Sequence, residues 1–131
     1  MRDANPLEDE VLKMLLDGRD DCLAILRLQA QHSRVSSREM TGVGFFTHFD
    51  VPPEVPRVLG QPKFWLGDVY GAAENIQDGV GFVLSVTDGA LSMLEGYTYD
   101  EPWPDELRGL KLLYSTGQAR DFDLVRQSMG N

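Results

Sequence analysis

Asp88-Gly89, set between the runs Val80 to Thr87 and Ala90 to Tyr99, is the feature that most restricts how this chain can fold. A two-residue type I′ turn needs φ > 0 at both central positions, and Asp-Gly between two apolar runs supplies that at little steric cost. The pair predicts a β-hairpin with Thr87 opposite Ala90, Val86 opposite Leu91, Leu84 opposite Met93, Phe82 opposite Glu95 and Val80 opposite Tyr97. One face of that hairpin is large and apolar except for Glu95. The other, with Ser85, Ser92, Val83, Leu94, Gly81 and Gly96, is small and mixed, so only the first is expected to pack on a core.

Upstream, Asn5-Pro6-Leu7-Glu8 is a helix start: Asn as N-cap, Pro at the first helical position and Glu placed to close a capping box. Leu7, Val11, Met14 and Leu15 recur on one helical stripe, and Gly18 ends it. Asp20 or Asp21 caps a second helix running to about Gln31, with Cys22, Leu23, Ile25, Leu26 and Ala30 on its buried side. From Val35 the period becomes two. Val35 to Met40 reads as a strand; Phe45, Thr47, Phe49 and Val51 share one face of the next, with Phe46, His48 and Asp50 opposite.

Gly42-Val43-Gly44 between them is a turn or bulge, because a phosphate loop would need a helix to follow. Pro52, Pro53 and Pro56 keep the next segment out of a sheet interior and make it a loop to about Pro62. Phe64-Trp65-Leu66 re-enters the fold, Asp68 to Ile76 is strand-like, and Leu110 to Tyr114 is the last apolar run. The expectation is an α+β fold: an N-terminal helical hairpin packed on an antiparallel sheet of about six short strands, in one domain spanning 1–131, with 117–131 a loosely docked tail.

The net charge of −9 has a location. The segment between Lys63 and Arg108 contains no Lys, Arg or His but nine acids, Asp68, Glu74, Asp78, Asp88, Glu95, Asp100, Glu101, Asp105 and Glu106; the remaining twelve acids are matched by twelve bases. Such a surface disfavours nucleic acid and membrane headgroups and favours basic partners, although it also serves solubility alone. The single cysteine, Cys22, cannot form an internal bridge, which points to a reducing compartment. Met1 to Glu10 has no apolar signal-peptide core and no run reaches membrane-spanning length, so the cytoplasm is expected.

Little catalytic chemistry is visible. His32, His48 and Cys22 have no zinc spacing, no calcium loop or nucleotide fingerprint is present, and no metal or cofactor is expected. Cys22 near a helix N-terminus is either a thiol of lowered pKa or a small core filler. Glu95 and His48 are the two candidate acid–base residues: the hairpin register either sets Glu95 among apolar side chains, which would raise its pKa, or leaves it near the sheet's end to reach water or pair with Arg38, Arg108 or a tyrosine hydroxyl, and His48 is either a base on a strand or a surface or hydrogen-bonded structural residue. Trp65, Tyr97, Tyr99 and Trp103 border the acids and suit a protein interface or ligand cleft as well as a core.

Thr41-Gly42-Val43-Gly44-Phe45-Phe46-Thr47, then Gly79-Val80-Gly81-Phe82-Val83-Leu84, Asp88-Gly89 and Leu94-Glu95-Gly96-Tyr97-Thr98-Tyr99 with Pro102-Trp103-Pro104, resemble a group of small bacterial proteins, some of them immunity partners in toxin systems. The resemblance spans roughly residues 20 to 114 and implies a bacterial cytoplasmic setting and binding rather than catalysis. It assigns no site residues.

Three readings stand. The first is a non-enzymatic acidic module, immunity-like, that covers a basic protein partner with Trp65, Asp68, Tyr97, Tyr99, Asp100, Glu101 and Trp103. The second is a small-molecule-binding or hydrolytic enzyme with Glu95 at the floor of a pocket and His48 or a tyrosine assisting. The third is a structural homodimer paired across a sheet edge.

Overall fold

A computed structural model of the protein describes residues 1–117 together with Arg120, Phe122 and Val125. Helix α1 (Pro6–Leu15) and helix α2 (Asp21–His32) precede six strands: β1 (Arg34–Met40), β2 (Gly44–Asp50), β3 (Phe64–Ala72), β4 (Val80–Thr87), β5 (Ala90–Thr98) and β6 (Lys111–Tyr114). The strands form one antiparallel sheet in the order β1-β2-β5-β4-β3-β6, with the helical hairpin on one face. This is the expected α+β architecture.

The helix ends follow their sequence signals. The Asn5 side chain accepts a hydrogen bond from the Glu8 backbone N–H at 2.8 Å, and the Glu8 carboxylate accepts one from the Asn5 N–H at 2.8 Å. Asp20 caps α2 through the Cys22 N–H. The Arg27 guanidinium then donates to the carbonyls of Leu16 and Gly18 at 2.6 and 2.8 Å. It thereby fastens the end of α1 to α2 and satisfies carbonyls that a helix terminus leaves open.

The buried stripe of α1 is Glu8, Val11, Leu12 and Leu15. Leu7 and Met14, expected on that stripe, are instead half-buried at its side. Cys22 is half-buried against the core, and burial raises its pKa, so the core-filler reading holds and the activated-thiol reading does not.

Asp88 and Gly89 both have positive φ, 53° and 75°, as the turn requires. The first two cross-strand pairs, Thr87 with Ala90 and Val86 with Leu91, are as predicted. Beyond them the register differs. Ser85 pairs with Met93, leaving Ser92 as an extra residue on β5, and Leu84, Val83, Phe82, Gly81 and Val80 then face Leu94, Glu95, Gly96, Tyr97 and Thr98. A bulge of one residue reverses the side on which every later residue of the strand points. Leu94 is therefore buried under the helices and Glu95 projects from the opposite face.

A second bulge lies in β3, where Leu66 pairs with Leu84 and Val69 with Phe82, so that two residues of β3 span one of β4. It keeps Phe64, Leu66 and Val69 on the core side and joins the two segments that the sequence suggests separately into one strand, which ends at Ala72 rather than Ile76. Asp68, in this bulge, is 6% exposed and paired with Arg120 through two contacts of 2.7 and 2.8 Å. The Arg120 guanidinium also lies over the Tyr114 and Phe122 rings, each centroid 5.3 Å away. Of the expected tail at 117–131, only Gly117, Arg120, Phe122 and Val125 fall within the described residues; the rest lies outside them.

One buried side chain ties α2 to the hairpin turn and the prolyl loop. Gln29 is fully buried; its amide N–H groups donate to the Pro56 and Gly89 carbonyls, both at 2.9 Å, and its oxygen accepts from the Leu91 N–H at 2.9 Å. The Gly89 N–H in turn donates to the Pro62 carbonyl. A Cβ at Gly89 would lie 2.5 Å from the Val58 carbonyl oxygen, so this turn position needs glycine for space as well as for φ. Replacing Gln29 by Leu removes a partner from three backbone groups: the Gly89 carbonyl keeps the Val58 N–H and Pro56 is exposed, but the buried Leu91 N–H loses this acceptor, which costs about 1–3 kcal/mol if it is left unsatisfied. Urea unfolding should therefore show Gln29→Leu destabilised by about 2 kcal/mol or more, against about 0.5 kcal/mol or less for the exposed neighbour Gln31→Leu. Equal midpoints for the two variants would contradict the assigned role.

Candidate functional site

The face of the sheet away from the helices is covered by no described element. Its side chains form three rows across the strands. In one, Leu113, Tyr70, Gly81 and Tyr97 are adjacent; in the next, Val83, Glu95, Phe46 and Glu39; in the third, Trp65, Ser85, Met93 and His48. Glu95 stands at the centre.

Trp65 is 49%, Tyr70 39% and Tyr99 44% exposed. The Tyr97 ring lies across Gly81, where a Cβ would come within 2.4 Å of it, so glycine on β4 gives this face a flat floor. Tyr99 meets Tyr97 edge-on, with ring centroids 5.5 Å apart and planes at 77°. Among the described residues the Glu95 side chain enters no ion pair and no hydrogen bond. The Tyr97 phenol is pushed up to about 12 by burial first, then by its side-chain hydrogen bond with Tyr99 and by negative charge at Tyr99 and Glu95. It therefore stays a neutral hydroxyl at physiological pH. His48, on the same face, contacts Glu39 at 3.1 Å.

Of the two readings of Glu95, these positions rule out the one at the floor of an apolar pocket on the core side. The carboxylate reaches the open side of the sheet because the Ser92 bulge changes the strand's parity. They also divide the expected partner-binding set. Trp65, Tyr97 and Tyr99 share the open face, whereas Asp68 is in the core, neutralised by Arg120. Asp100 and Glu101 lie beyond the end of β5, where the Glu101 carboxylate accepts the Gln77 N–H at 3.0 Å and its carbonyl accepts the Thr98 hydroxyl. Trp103 is on the helix side, edge-on to Phe45 at 5.3 Å.

Six acids of the base-free window, Glu74, Asp78, Asp100, Glu101, Asp105 and Glu106, belong to the two loops at this end of the sheet. The loops are joined by Asn75 donating to the Glu106 carbonyl, the Arg108 N–H donating to the Asn75 side chain, and the Glu74 N–H donating to the Arg108 carbonyl. Asp88 is at the opposite end, in the hairpin turn.

Trp103 lines a groove of about 830 Å³ between α1, the end of β1 and the segment before β6, together with Leu7, Met14, Phe45, Leu107 and Leu112. Glu8, at its floor, has a side chain only 1% exposed. Its carboxylate accepts from the Arg38 guanidinium at 2.6 and 2.8 Å, from the Thr47 hydroxyl and from the Asn5 N–H. One residue thus connects α1, β1 and β2. Neither Glu95 nor His48 borders this groove. The sequence did carry a signal for Glu8: with Val11, Leu12 and Leu15 it repeats at i, i+3, i+4 and i+7.

Burial pushes the Glu8 carboxyl up, but the hydrogen bonds from Arg38, Thr47 and Asn5, with the Arg38 charge, outweigh this and hold it below its ordinary 4.5. A depressed folded-state pKa contributes stability that is present above the unfolded value and is lost as pH falls through the folded one. Acid unfolding below about pH 4.5 should thus be partly due to Glu8. Glu8→Gln should be less stable than the unmodified chain at neutral pH, and its urea midpoint should fall less between about pH 5 and about pH 3. A parallel fall in both proteins would rule out this linkage. Comparisons of the chain with family models, with curated proteins and with solved structures found no match.

Proposed function

We propose that the protein is a non-enzymatic binding module that holds a basic protein partner on the open face of its sheet. The observation that carries this reading is Glu95: a carboxylate without an ion-pair partner among the described residues, ringed by Phe46, Met93, Tyr97 and Val83 on a face that also exposes Trp65, Tyr70 and Tyr99. A Lys or Arg side chain placed there pairs with Glu95 while its stem and charge pack on aromatic faces. The acids of the end loops add long-range attraction for the same sign of partner.

An immunity-like role, in which the partner is a bacterial toxin with a basic surface, is the specific form of this proposal that the sequence resemblance suggests. Charge favours this reading over self-association through the same face, since a two-fold contact centred there would bring two copies of Glu95 together. Strand-edge pairing is disfavoured too. β1 carries Arg34, Arg38 and Glu39 and a bulge at Ser36, and β6 is four residues long. The hydrolytic reading has less support, because neither Glu95 nor His48 borders the groove beside Trp103.

The test compares partner recovery from native cells by the unmodified chain, Glu95→Gln and Trp65→Ala at low and raised salt. A basic protein should be retained by the unmodified chain at low salt and released as salt rises, and each variant should bind it about tenfold more weakly or worse. Both positions lie on the open face outside the core, Trp65 half-exposed and Glu95 half-buried, so thermal stability should change little. Recovery of the same proteins in the same amounts by all three would exclude the open face as the docking surface.

A further inference from the structure

The groove on the helix side is a concave surface separate from the open face. Its volume of about 830 Å³ is within the range of small-molecule sites. Its walls are apolar, from Leu7 and Met14 of α1, Phe45 of β2, and Trp103 and Leu107 of the segment before β6. The Trp103 position is fixed by its backbone N–H donating to the Gly42 carbonyl at 2.8 Å and by the edge-on contact with Phe45.

The charged lining is unequal. Glu8, Glu10, Asp105 and Glu106 supply four carboxylates against the single guanidinium of Arg38 in the lining. Arg38 is already engaged: its Nε and Nη2 donate to Glu8, and Nη2 also to the Asp3 carbonyl. The floor is thus a satisfied pair, and Glu10, Asp105 and Glu106, all exposed, set the sign of the rim.

We propose that this groove binds a small amphipathic amine, its apolar body between Leu7, Met14, Phe45 and Trp103 and its ammonium group at the rim formed by Glu10, Asp105 and Glu106. Apolar burial provides most of the affinity and the rim selects the charge, because exposed carboxylates act weakly one by one but share one sign here. Arg38 would attract an anion only by giving up Glu8, whose carboxylate would then be buried without its cation.

The test uses three probes of matched shape, 4-phenylbutylamine, 4-phenylbutanol and 4-phenylbutyrate, titrated into ¹⁵N-labelled protein while the indole N–H signals of Trp103 and Trp65 are followed. The amine should shift the Trp103 signal saturably and leave Trp65 in place. It should bind about threefold tighter than the alcohol and about tenfold tighter than the carboxylate. Asp105→Asn with Glu106→Gln should weaken the amine several-fold and leave the alcohol unchanged. Failure of all three probes to saturate the Trp103 shift overturns the proposal, as does equal affinity for the three or tightest binding of the carboxylate. A shift confined to Trp65 overturns it as well, and places the amine on the open sheet face instead.

Discussion

A single extra residue in β5 decides which side of the sheet carries a carboxylate. Without the bulge at Ser92, strict alternation from the turn would send Leu91, Met93, Glu95 and Tyr97 to the helix side and Leu94 outward. With it, Leu91, Leu94 and Thr98 are buried while Met93, Glu95 and Tyr97 face the open side. An ionised carboxylate in an apolar core without a partner costs several kcal/mol, whereas a bulge gives up only local pairing. The bulge wins. The inner face of β5 beside the helices keeps Leu91 and Leu94, and the outer face acquires a central carboxylate.

The polar groups that do enter the interior arrive with partners. Glu8 meets Arg38 and Thr47, Gln29 meets three backbone groups, and Asp68 meets Arg120. No buried side-chain nitrogen or oxygen among the described residues lacks a hydrogen bond. Each set joins elements distant in sequence: α1 to β1 and β2, α2 to the hairpin turn, β3 to Arg120. Apolar contact alone would let the helices slide on the sheet, because burial is nearly indifferent to small translations, while directional bonds fix the position. A groove between α1 and the segment before β6 can keep a defined shape only if α1 is held in this way.

Local signals in the chain were legible and parity was not. The Asn5 cap, the Asp88-Gly89 turn, the helical hairpin and the change to period two at Val35 each depend on a few neighbouring residues, and the structure contains all of them. The site depended on counting along strands, where one inserted residue exchanges inside for outside. Leu91 with Leu94, and Leu66 with Val69, are spaced by three in strands, which is the trace a bulge leaves when both residues must be buried. The anomaly at Glu95 was that same trace. The stripe of α1 is obscured in the sequence because Leu7 and Met14 are apolar and Glu8 is not; the position of Arg38 on β1, which no local pattern encodes, makes a buried Glu8 acceptable.

The base-free window is one block in sequence but several environments in space, and these differ in what they can do electrostatically. Asp68 is cancelled by Arg120, and Asp88 stands at the far turn. The six acids of the end loops are beyond the last residues of the strands, whereas Glu95 is in the middle of the open face. At physiological ionic strength exposed charges are screened beyond about 8 Å, so the end loops act mainly as a diffuse field. Such a field affects how often a cationic body arrives and in which orientation. Glu95 is walled by Tyr97, Phe46 and Met93, so a partner of the proposed kind would exclude water there and strengthen its attraction for a cation. On the proposed reading, the number of acids in the window would govern encounter, and the parity of a single strand what is held after contact.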